Sequence, residues 1–227
     1  MSLGMSKREN KFYQLTKAAL QEMDLAHGEN EVRLAIKHLQ AVFDDGKNLN
    51  LTASQAEAEL VHKHLADSLF LLKASNLSGR KVLDLGAGAG FPGLPLKIFC
   101  TDLKLTLLDA RRRRINFLKY LVAEMQLKEV QCIHGRAEEI ATQAGHSQRY
   151  SAVVARAVAP LAELLYLAAP LLKPGGSLFA YKGAKAATEI EAARQVLAEH
   201  KLRIAEEYSY QLASGEQRKI IIVSRET

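Results

Sequence analysis

A glycine-rich turn follows a short apolar run at residues 82–90, which read Val-Leu-Asp-Leu-Gly-Ala-Gly-Ala-Gly. Gly86 and Gly88 can adopt backbone angles that are closed to other residues, and they let a ligand approach the main chain. A helix that starts after the turn would point its first amides at that ligand. An ordinary structural turn does not require three glycines in five residues, so this segment indicates a site for a nucleoside cofactor.

The spacing of these glycines separates two classes of cofactor. The dinucleotide fingerprint is G-x-G-x-x-G, but here the third glycine comes one residue early, at Gly90, and Phe91 fills the dinucleotide position. This spacing, with the acidic Asp84 before the turn, favours S-adenosylmethionine (SAM) over a nicotinamide or flavin cofactor. Asp109 ends the next predicted strand and is suited to accept hydrogen bonds from ribose hydroxyls, which both cofactor classes carry.

Two further segments carry charge where a ligand is expected. Ala137 and Glu138 follow the third predicted strand, where methyltransferases commonly hold the adenine edge, although an acid there is also favourable to a helix dipole. The run 111–114 is four arginines at a predicted helix start, where the dipole disfavours cations. Contact with RNA phosphates explains that placement, and a solvated helix face is the alternative. His64 and Asp67, three residues apart, are predicted to pair on one helix face.

The elements that must position these residues alternate between strand and helix after residue 80. Two amphipathic helices and a third, opened by Ser54 as its cap, precede them. This order predicts an α/β fold: a Rossmann-like class I SAM-dependent methyltransferase with a seven-stranded, mostly parallel sheet and an N-terminal helical extension. We expect the extension at 5–78 and the methyltransferase domain at 79–227. The predicted strands are 81–85, 105–108, 130–133, 152–155, 177–181, 203–211 and 219–224, and the predicted helices after residue 80 are 92–99, 112–125, 137–144, 160–172 and 186–200.

The composition of the chain indicates which partners, cellular location and metals to expect. The formal net charge is +6, which is compatible with a polyanionic partner. The chain has no uninterrupted apolar run of about 18 residues and no secretory signal pattern, so we expect a cytoplasmic protein that does not span a membrane. Cys100 and Cys132 have no metal-type spacing and the histidines show none either, so we expect no metal. A monomer is expected.

Beyond the class, several motifs occur in an order that is seen in one family. They are 50–53 (Asn-Leu-Thr-Ala), 64–69 (His-Leu-Ala-Asp-Ser-Leu), 86–95 (Gly-Ala-Gly-Ala-Gly-Phe-Pro-Gly-Leu-Pro), 113–114 (Arg-Arg), 117–118 (Phe-Leu), 156–157 (Arg-Ala) and 182–183 (Lys-Gly). The chain resembles the RsmG (GidB) family, bacterial methyltransferases that place a methyl group on guanine N7 in 16S ribosomal RNA. The resemblance covers about residues 30 to 225, and the extended glycine loop is its most specific element.

The resemblance implies a site in two parts. On the cofactor side, Gly86 and Phe91 would line the SAM pocket, Ala137 and Glu138 would contact adenine, and Arg156 would face the substrate from the cofactor pocket. Four positions would line the RNA side: Asn50, His64, Lys182 and Arg218. The implied partner is 16S rRNA within the small ribosomal subunit.

The chemistry that this substrate requires is simple. Guanine N7 carries a lone pair that is nucleophilic at neutral pH and no proton has to leave, so no general base is required and no catalytic residue is assigned. Orientation and desolvation should supply most of the rate. Two alternatives stay open: a SAM-dependent methyltransferase of another substrate, protein or small molecule, and a SAM-binding ribosome-assembly module without enzymatic activity. Residues 155–158 lack the Asn/Asp-Pro-Pro-Tyr/Phe motif that adenine-N6 enzymes carry after strand four.

Overall fold

The computed structural model describes residues 5–46, 51, 52, 54 and 56–226. The chain opens with two amphipathic helices, α1 (Lys7–Glu22) and α2 (Glu29–Asp45). Ser6 begins α1 with a capping box, because its hydroxyl accepts a hydrogen bond from the Glu9 amide while the Glu9 carboxylate accepts one from the Ser6 amide. The apolar stripes of both helices are buried, as their spacing predicted.

The third helical stretch is not uniform. It runs as α3 (Glu57–Glu59), continues as a π-helix (Leu60–Ala66) and ends as α4 (Asp67–Ala74). A π-helical turn is rare and often lies at a functional site. The prediction that Ser54 caps this helix is wrong: Ala56 precedes the first turn without a side-chain cap. The Ser54 hydroxyl instead lies 3.0 Å from Nε2 of His64, inside the π-helix.

A single seven-stranded sheet forms the centre of the fold, in the order β3-β2-β1-β4-β5-β7-β6. Strands β1 to β5 are parallel, and β7 is antiparallel to both β5 and β6. The predicted fold class is confirmed. The strands are β1 (Lys81–Leu85), β2 (Lys104–Asp109), β3 (Val130–His134), β4 (Tyr150–Arg156), β5 (Leu172–Lys182), β6 (Leu202–Gln211) and β7 (Gln217–Arg225).

Helices cover both faces of the sheet and bury two apolar clusters. One cluster joins α5, α6 and the N-terminal helices to one face, where Val82, Val154 and Phe179 point. The other joins α7 to α10 to the opposite face, where Leu83 and Val153 point. This alternation follows from the period of two along a strand. The helices are α5 (Gly93–Phe99), α6 (Arg112–Glu124), α7 (Ala137–Ala141), α8 (Leu161–Ala168), α9 (Ala186–Ala192) and α10 (Arg194–Glu199).

Several boundaries differ from the predicted elements. The helix predicted at 186–200 is two short helices that meet at Ala193. The helices predicted at 137–144 and 160–172 end at Ala141 and Ala168. Strand β5 begins at Leu172, before its predicted start, and its pairing with β4 is irregular between Tyr150 and Ala152. None of these differences alters the carboxyl edge of the sheet, where the strand order reverses between β1 and β4 and where ligands bind in open α/β sheets.

The N-terminal helices pack on the π-helix and on α5, and they share an apolar cluster with the sheet. Phe12 and Leu39 from α1 and α2 belong to the same apolar cluster as Ile222 from β7. The helical extension therefore contributes to the hydrophobic core of the methyltransferase fold. No helix in the described part of the chain is long and apolar enough to cross a membrane.

Candidate functional site

The glycine loop connects β1 to α5 and turns sharply at three glycines. Gly86 has a φ of +73°, a left-handed conformation that only glycine adopts readily. A Cβ at this position would lie 2.8 Å from Cγ2 of Val158, which follows β4. The loop therefore lies against the end of β4 with no space for a side chain. Ala87 is buried, and Gly86 and Gly88 are partly exposed, so the loop backbone is accessible at its turn.

Asp84 lies in β1, beneath the loop, and is fully buried. Its Oδ2 accepts a hydrogen bond of 2.8 Å from the Gly93 amide, which ties the start of α5 to β1. Its Oδ1 has no hydrogen-bond partner among the described residues. Burial raises the pKa of this carboxyl to about 7, although the Gly93 amide and the charge of Arg156 oppose the shift.

Asp109 ends β2 and fixes the glycine loop from the side. Its Oδ2 accepts a hydrogen bond of 3.0 Å from the Gly88 amide, and its Oδ1 accepts one of 2.8 Å from the Arg111 amide. The guanidinium of Arg114 lies 3.4 Å from the same Oδ2. The carboxylate that the sequence assigned to ribose binding thus also holds the loop in place.

These features fit a cationic nucleoside cofactor such as SAM. The loop, Asp109 and the start of α7 with Ala137 and Glu138 follow β1, β2 and β3, which are adjacent in the sheet. Ala137 is buried and Glu138 is exposed, so only the second presents its side chain to solvent. The unsatisfied Oδ1 of Asp84 would be compensated electrostatically by a ligand that carries positive charge close to the loop.

Arg156 ends β4 and reaches across to the π-helix. Its guanidinium donates to Oδ2 of Asp67 at 2.9 Å, to the Lys63 carbonyl at 3.0 Å and to Nδ1 of His64 at 2.8 Å. The Tyr210 hydroxyl donates to the other oxygen of Asp67 at 2.6 Å. The predicted direct pair of His64 with Asp67 is wrong, because both residues contact Arg156 instead.

The proton on His64 can be assigned from these contacts. A guanidinium only donates, so Nδ1 accepts and the proton lies on Nε2. Nε2 then donates to the hydroxyls of Thr52 and Ser54, at 3.1 and 3.0 Å. Burial, and next the positive charge of Arg156, lower the pKa of His64 to about 3. The imidazole is therefore neutral at physiological pH, and its one basic nitrogen is already occupied.

A cleft of about 560 Å³ opens beside Arg156 at the carboxyl ends of β4 and β5. The loop 157–160, the π-helix and the β6–β7 hairpin surround it. Three predicted RNA-side residues line it together: His64, Lys182 and Arg218. Lys182 pairs with Glu189 at 2.6 Å, and Arg218 pairs with Glu216 at 2.6 Å. Glu216 also lies 3.4 Å from Nζ of Lys63, so Arg218 and Lys63 share one carboxylate.

Phe91 separates the glycine loop from the cleft. Its ring is 5% exposed, and the Arg156 guanidinium lies 5.3 Å from the ring centroid. The buried Phe91 ring therefore lies against Arg156, which lines the cleft. Asn50, which the resemblance assigned to the RNA side, lies outside the described residues.

The arginine run divides at its last member. Arg111, Arg112 and Arg113 are exposed, and they form no ion pair within the described ranges. Arg114 turns inward onto Asp109, at the cofactor loop. The sequence predicted that Arg113 and Arg114 both bind RNA and that neither affects SAM. The position of Arg114 against Asp109 does not support this prediction for Arg114.

Sequence reasoning missed three residues of the site. His38 contacts the loop, Tyr210 contacts Asp67, and Val158 covers Gly86. None belongs to a motif, and each comes from an element distant in sequence from its partner. In the part of the chain that the structure describes, no group of three or more His, Cys, Asp or Glu side chains is placed to hold a metal ion.

Comparison with known proteins agrees with this architecture. A family model described as GidB, rRNA small subunit methyltransferase G, matches residues 31–221. The protein named ribosomal RNA small subunit methyltransferase G from Deinococcus radiodurans is 41% identical over 206 residues, which cover 90% of this chain and 80% of that protein. The protein of the same name from Clostridium botulinum (strain Loch Maree) is 38% identical over 183 residues, covering 80% and 77%.

Solved structures show the same fold at low sequence identity. A SAM-dependent methyltransferase from Aquifex aeolicus superimposes with a TM-score of 0.55 at 16% identity, covering 73% of this chain and 92% of that chain. TYW2 from M. jannaschii, solved in complex with AdoMet, superimposes with a TM-score of 0.55 at 15% identity, covering 70% and 75%.

Proposed function

Because the chain belongs to the rRNA small subunit methyltransferase G family, we propose that it transfers a methyl group from SAM to N7 of a guanine in 16S rRNA. The observation that carries this proposal is the juxtaposition at Arg156. This residue stands between a glycine loop suited to a nucleoside cofactor and a cleft large enough for a nucleobase.

On the cofactor side, the chain would hold SAM with its loop and three strand ends. SAM supplies a methyl group that is activated by the positive sulfur to which it is bound. Gly86 and Gly88 leave the loop backbone open to the ligand, and Asp109 lies beside them for the ribose. Ala137 and Glu138 follow the neighbouring strand, as an adenine contact requires. Phe91 closes the pocket toward Arg156.

On the substrate side, the charge pattern of the cleft favours a neutral ligand. Arg156, Lys182 and Arg218 are each paired with a carboxylate, so the cleft has little net charge to offer a phosphate. A guanine base is uncharged, presents several hydrogen-bonding atoms and can be taken out of a base stack into such a pocket. We propose that His64, Lys182 and Arg218 line the site of the target base.

No proton transfer is needed at this site, and the carboxylates of Asp67 and Glu189 that line it are engaged by Arg156 and Lys182. His64 has its basic nitrogen engaged by Arg156 and a pKa near 3. The surrounding residues orient the guanine and exclude water. Holding the two reactants in the reactive geometry raises the rate, because it gives them a high effective concentration. The Arg156 contacts fix the relative position of β4 and the π-helix, and therefore the shape of the cleft.

The rRNA backbone would be bound outside the cleft, along α6. Arg112, Arg113 and Lys119 are exposed on this helix without an ion pair among the described residues, and Tyr120 is 58% exposed beside them. Unpaired cations contact phosphates, and exposed aromatic rings stack on unpaired bases. We propose that this face binds the RNA segment that flanks the target guanine.

We propose that the protein acts as a monomer in the cytoplasm, with residues 5–78 as a helical extension of a methyltransferase domain at 79–227. The described surface supports a monomer, since its exposed large apolar side chains are scattered on separate elements. They are Tyr120, Val158 and Tyr166.

The test is methyl transfer from radiolabelled SAM to purified small subunits, to naked 16S rRNA and to total protein. We expect label in RNA from the wild-type chain, and none when the chain is left out. Label in protein alone would refute the RNA substrate. SAM binding without transfer to any acceptor would favour an assembly module.

A further inference from the structure

A histidine outside every motif contacts the glycine loop from the N-terminal helices. His38 lies in α2 and is fully buried. Its Nε2 is 2.7 Å from the carbonyl oxygen of Ala89, in the middle of the loop. Because a carbonyl only accepts, the proton lies on Nε2 and the imidazole donates to the loop. Burial lowers the pKa of His38 to about 4, so the ring is neutral at physiological pH.

The same imidazole also packs against Phe91, the aromatic residue at the end of the loop. Its ring centroid is 4.5 Å from that of Phe91, and the His64 ring lies 5.1 Å from Phe91. His64 is in turn held by Arg156 at 2.8 Å. Phe91 is therefore flanked by two neutral imidazoles, one from α2 and one from the π-helix, so that its ring position depends on the N-terminal helices.

The contact is close enough to restrict the loop. Gly90 follows Ala89 with a φ of +93°, and a Cβ there would lie 3.1 Å from Nε2 of His38. The loop backbone thus lies directly on the imidazole. If His38 no longer donated to the Ala89 carbonyl, a buried acceptor would be left without a partner. The present loop conformation would then be destabilised relative to others.

We propose that His38 is a positioning residue of the cofactor loop: its hydrogen bond to Ala89 and its contact with Phe91 set the loop conformation that binds SAM. The N-terminal helices then contribute to cofactor affinity through the position of the loop. This inference rests on the proposed use of the loop for SAM.

The test compares two amides of different length at position 38. The His38→Gln side chain reaches the place of Nε2 and can still donate to Ala89, whereas His38→Asn is too short. Both remove the ring, so their difference isolates the hydrogen bond. We expect the SAM Kd, measured by calorimetry on the full chain, to be about threefold to tenfold higher for His38→Asn than for His38→Gln.

A control variant separates positioning from general loss of packing. Val42 lies one turn further along α2 and is fully buried, and its side chain has no polar group that could donate to the loop. Val42→Ala should lower the urea midpoint of unfolding yet leave the SAM Kd unchanged. Equal Kd values for the two amides, or a rise in Kd with Val42→Ala as large as with His38→Asn, would overturn the proposal.

The outcomes also separate this inference from the proposed function. If the amides differ as expected while the wild type methylates no RNA, the positioning role stands and the RNA substrate is wrong. If the wild type does not bind SAM at all, both are wrong.

Discussion

Replacing Arg156 by methionine should destabilise the protein strongly, because it strands a buried carboxylate. The side chains of Arg156 and Asp67 are 14% and 5% exposed, and the guanidinium satisfies three acceptors at 2.8 to 3.0 Å. Removing one partner of a buried ion pair costs about 3–5 kcal/mol. We expect Arg156→Met to lower the free energy of unfolding by roughly that amount at pH 7.5.

The assay is urea unfolding followed by far-UV circular dichroism, with an exposed ion pair as control. Arg194 and Glu191 lie 2.8 Å apart, but their side chains are 73% and 65% exposed. Exposed pairs contribute about 0–1 kcal/mol, so Arg194→Met should change the free energy of unfolding very little. A loss below about 1 kcal/mol for Arg156→Met would refute the assignment of this pair as a buried structural link.

A second substitution gives an independent check on the same mechanism. Arg156→Met combined with Asp67→Leu should recover part of the stability, because the unpaired charge is gone. The recovery is incomplete, since the Tyr210 hydroxyl loses its acceptor.

Three further predictions concern the cofactor loop and the arginine run. Gly86→Ala forces a left-handed residue against Val158, so the SAM Kd measured by calorimetry should rise, whereas Gly145→Ala, with open space around it, should leave it unchanged. Asp84 has a pKa near 7, so its carboxylate is lost as the pH falls below 7. The affinity for SAM should fall in that pH range for the wild type and should not change with pH for Asp84→Asn. If both proteins showed the same pH dependence of SAM affinity, the charge of Asp84 would not contribute to SAM binding. Arg113→Ala should reduce the slope of log K against log salt for rRNA binding by about 0.7–0.9 without changing SAM affinity. Arg114→Ala should weaken SAM binding. If it instead reduced the salt dependence of rRNA binding and left SAM affinity unchanged, Arg114 would be an RNA-binding residue.

The fold could be predicted because its signals are local. Each parallel strand is a short apolar run bounded by turn residues, and Asp84 and Asp109 mark the two strands that meet at the loop. The helix ends lack such local signals. Predicting a cap at Ser54 failed because its hydroxyl has a competing partner in His64, ten residues away. The single helix predicted at 186–200 breaks at Ala193. No glycine or proline lies in this segment to mark the break.

The site was predictable only where a motif marks it. Arg156 could be placed at the end of β4, but not its reach across 89 residues to Asp67. Nothing in the sequence distinguishes Arg113 from Arg114, since helix rotation alone sends one to solvent and the other to Asp109. His38 lies beside the apolar stripe of α2, where a single polar residue ordinarily faces water. Its burial depends on how α2 packs on the loop.

The nucleoside that receives the methyl group tests the proposed reaction most directly. Small subunits would be incubated with the wild-type chain and SAM carrying a labelled methyl group, and their rRNA digested to nucleosides and separated by chromatography with mass detection. We expect the label in 7-methylguanosine, and no label when the chain is left out. Label in any other nucleoside, or in ribosomal protein, would contradict transfer to guanine N7.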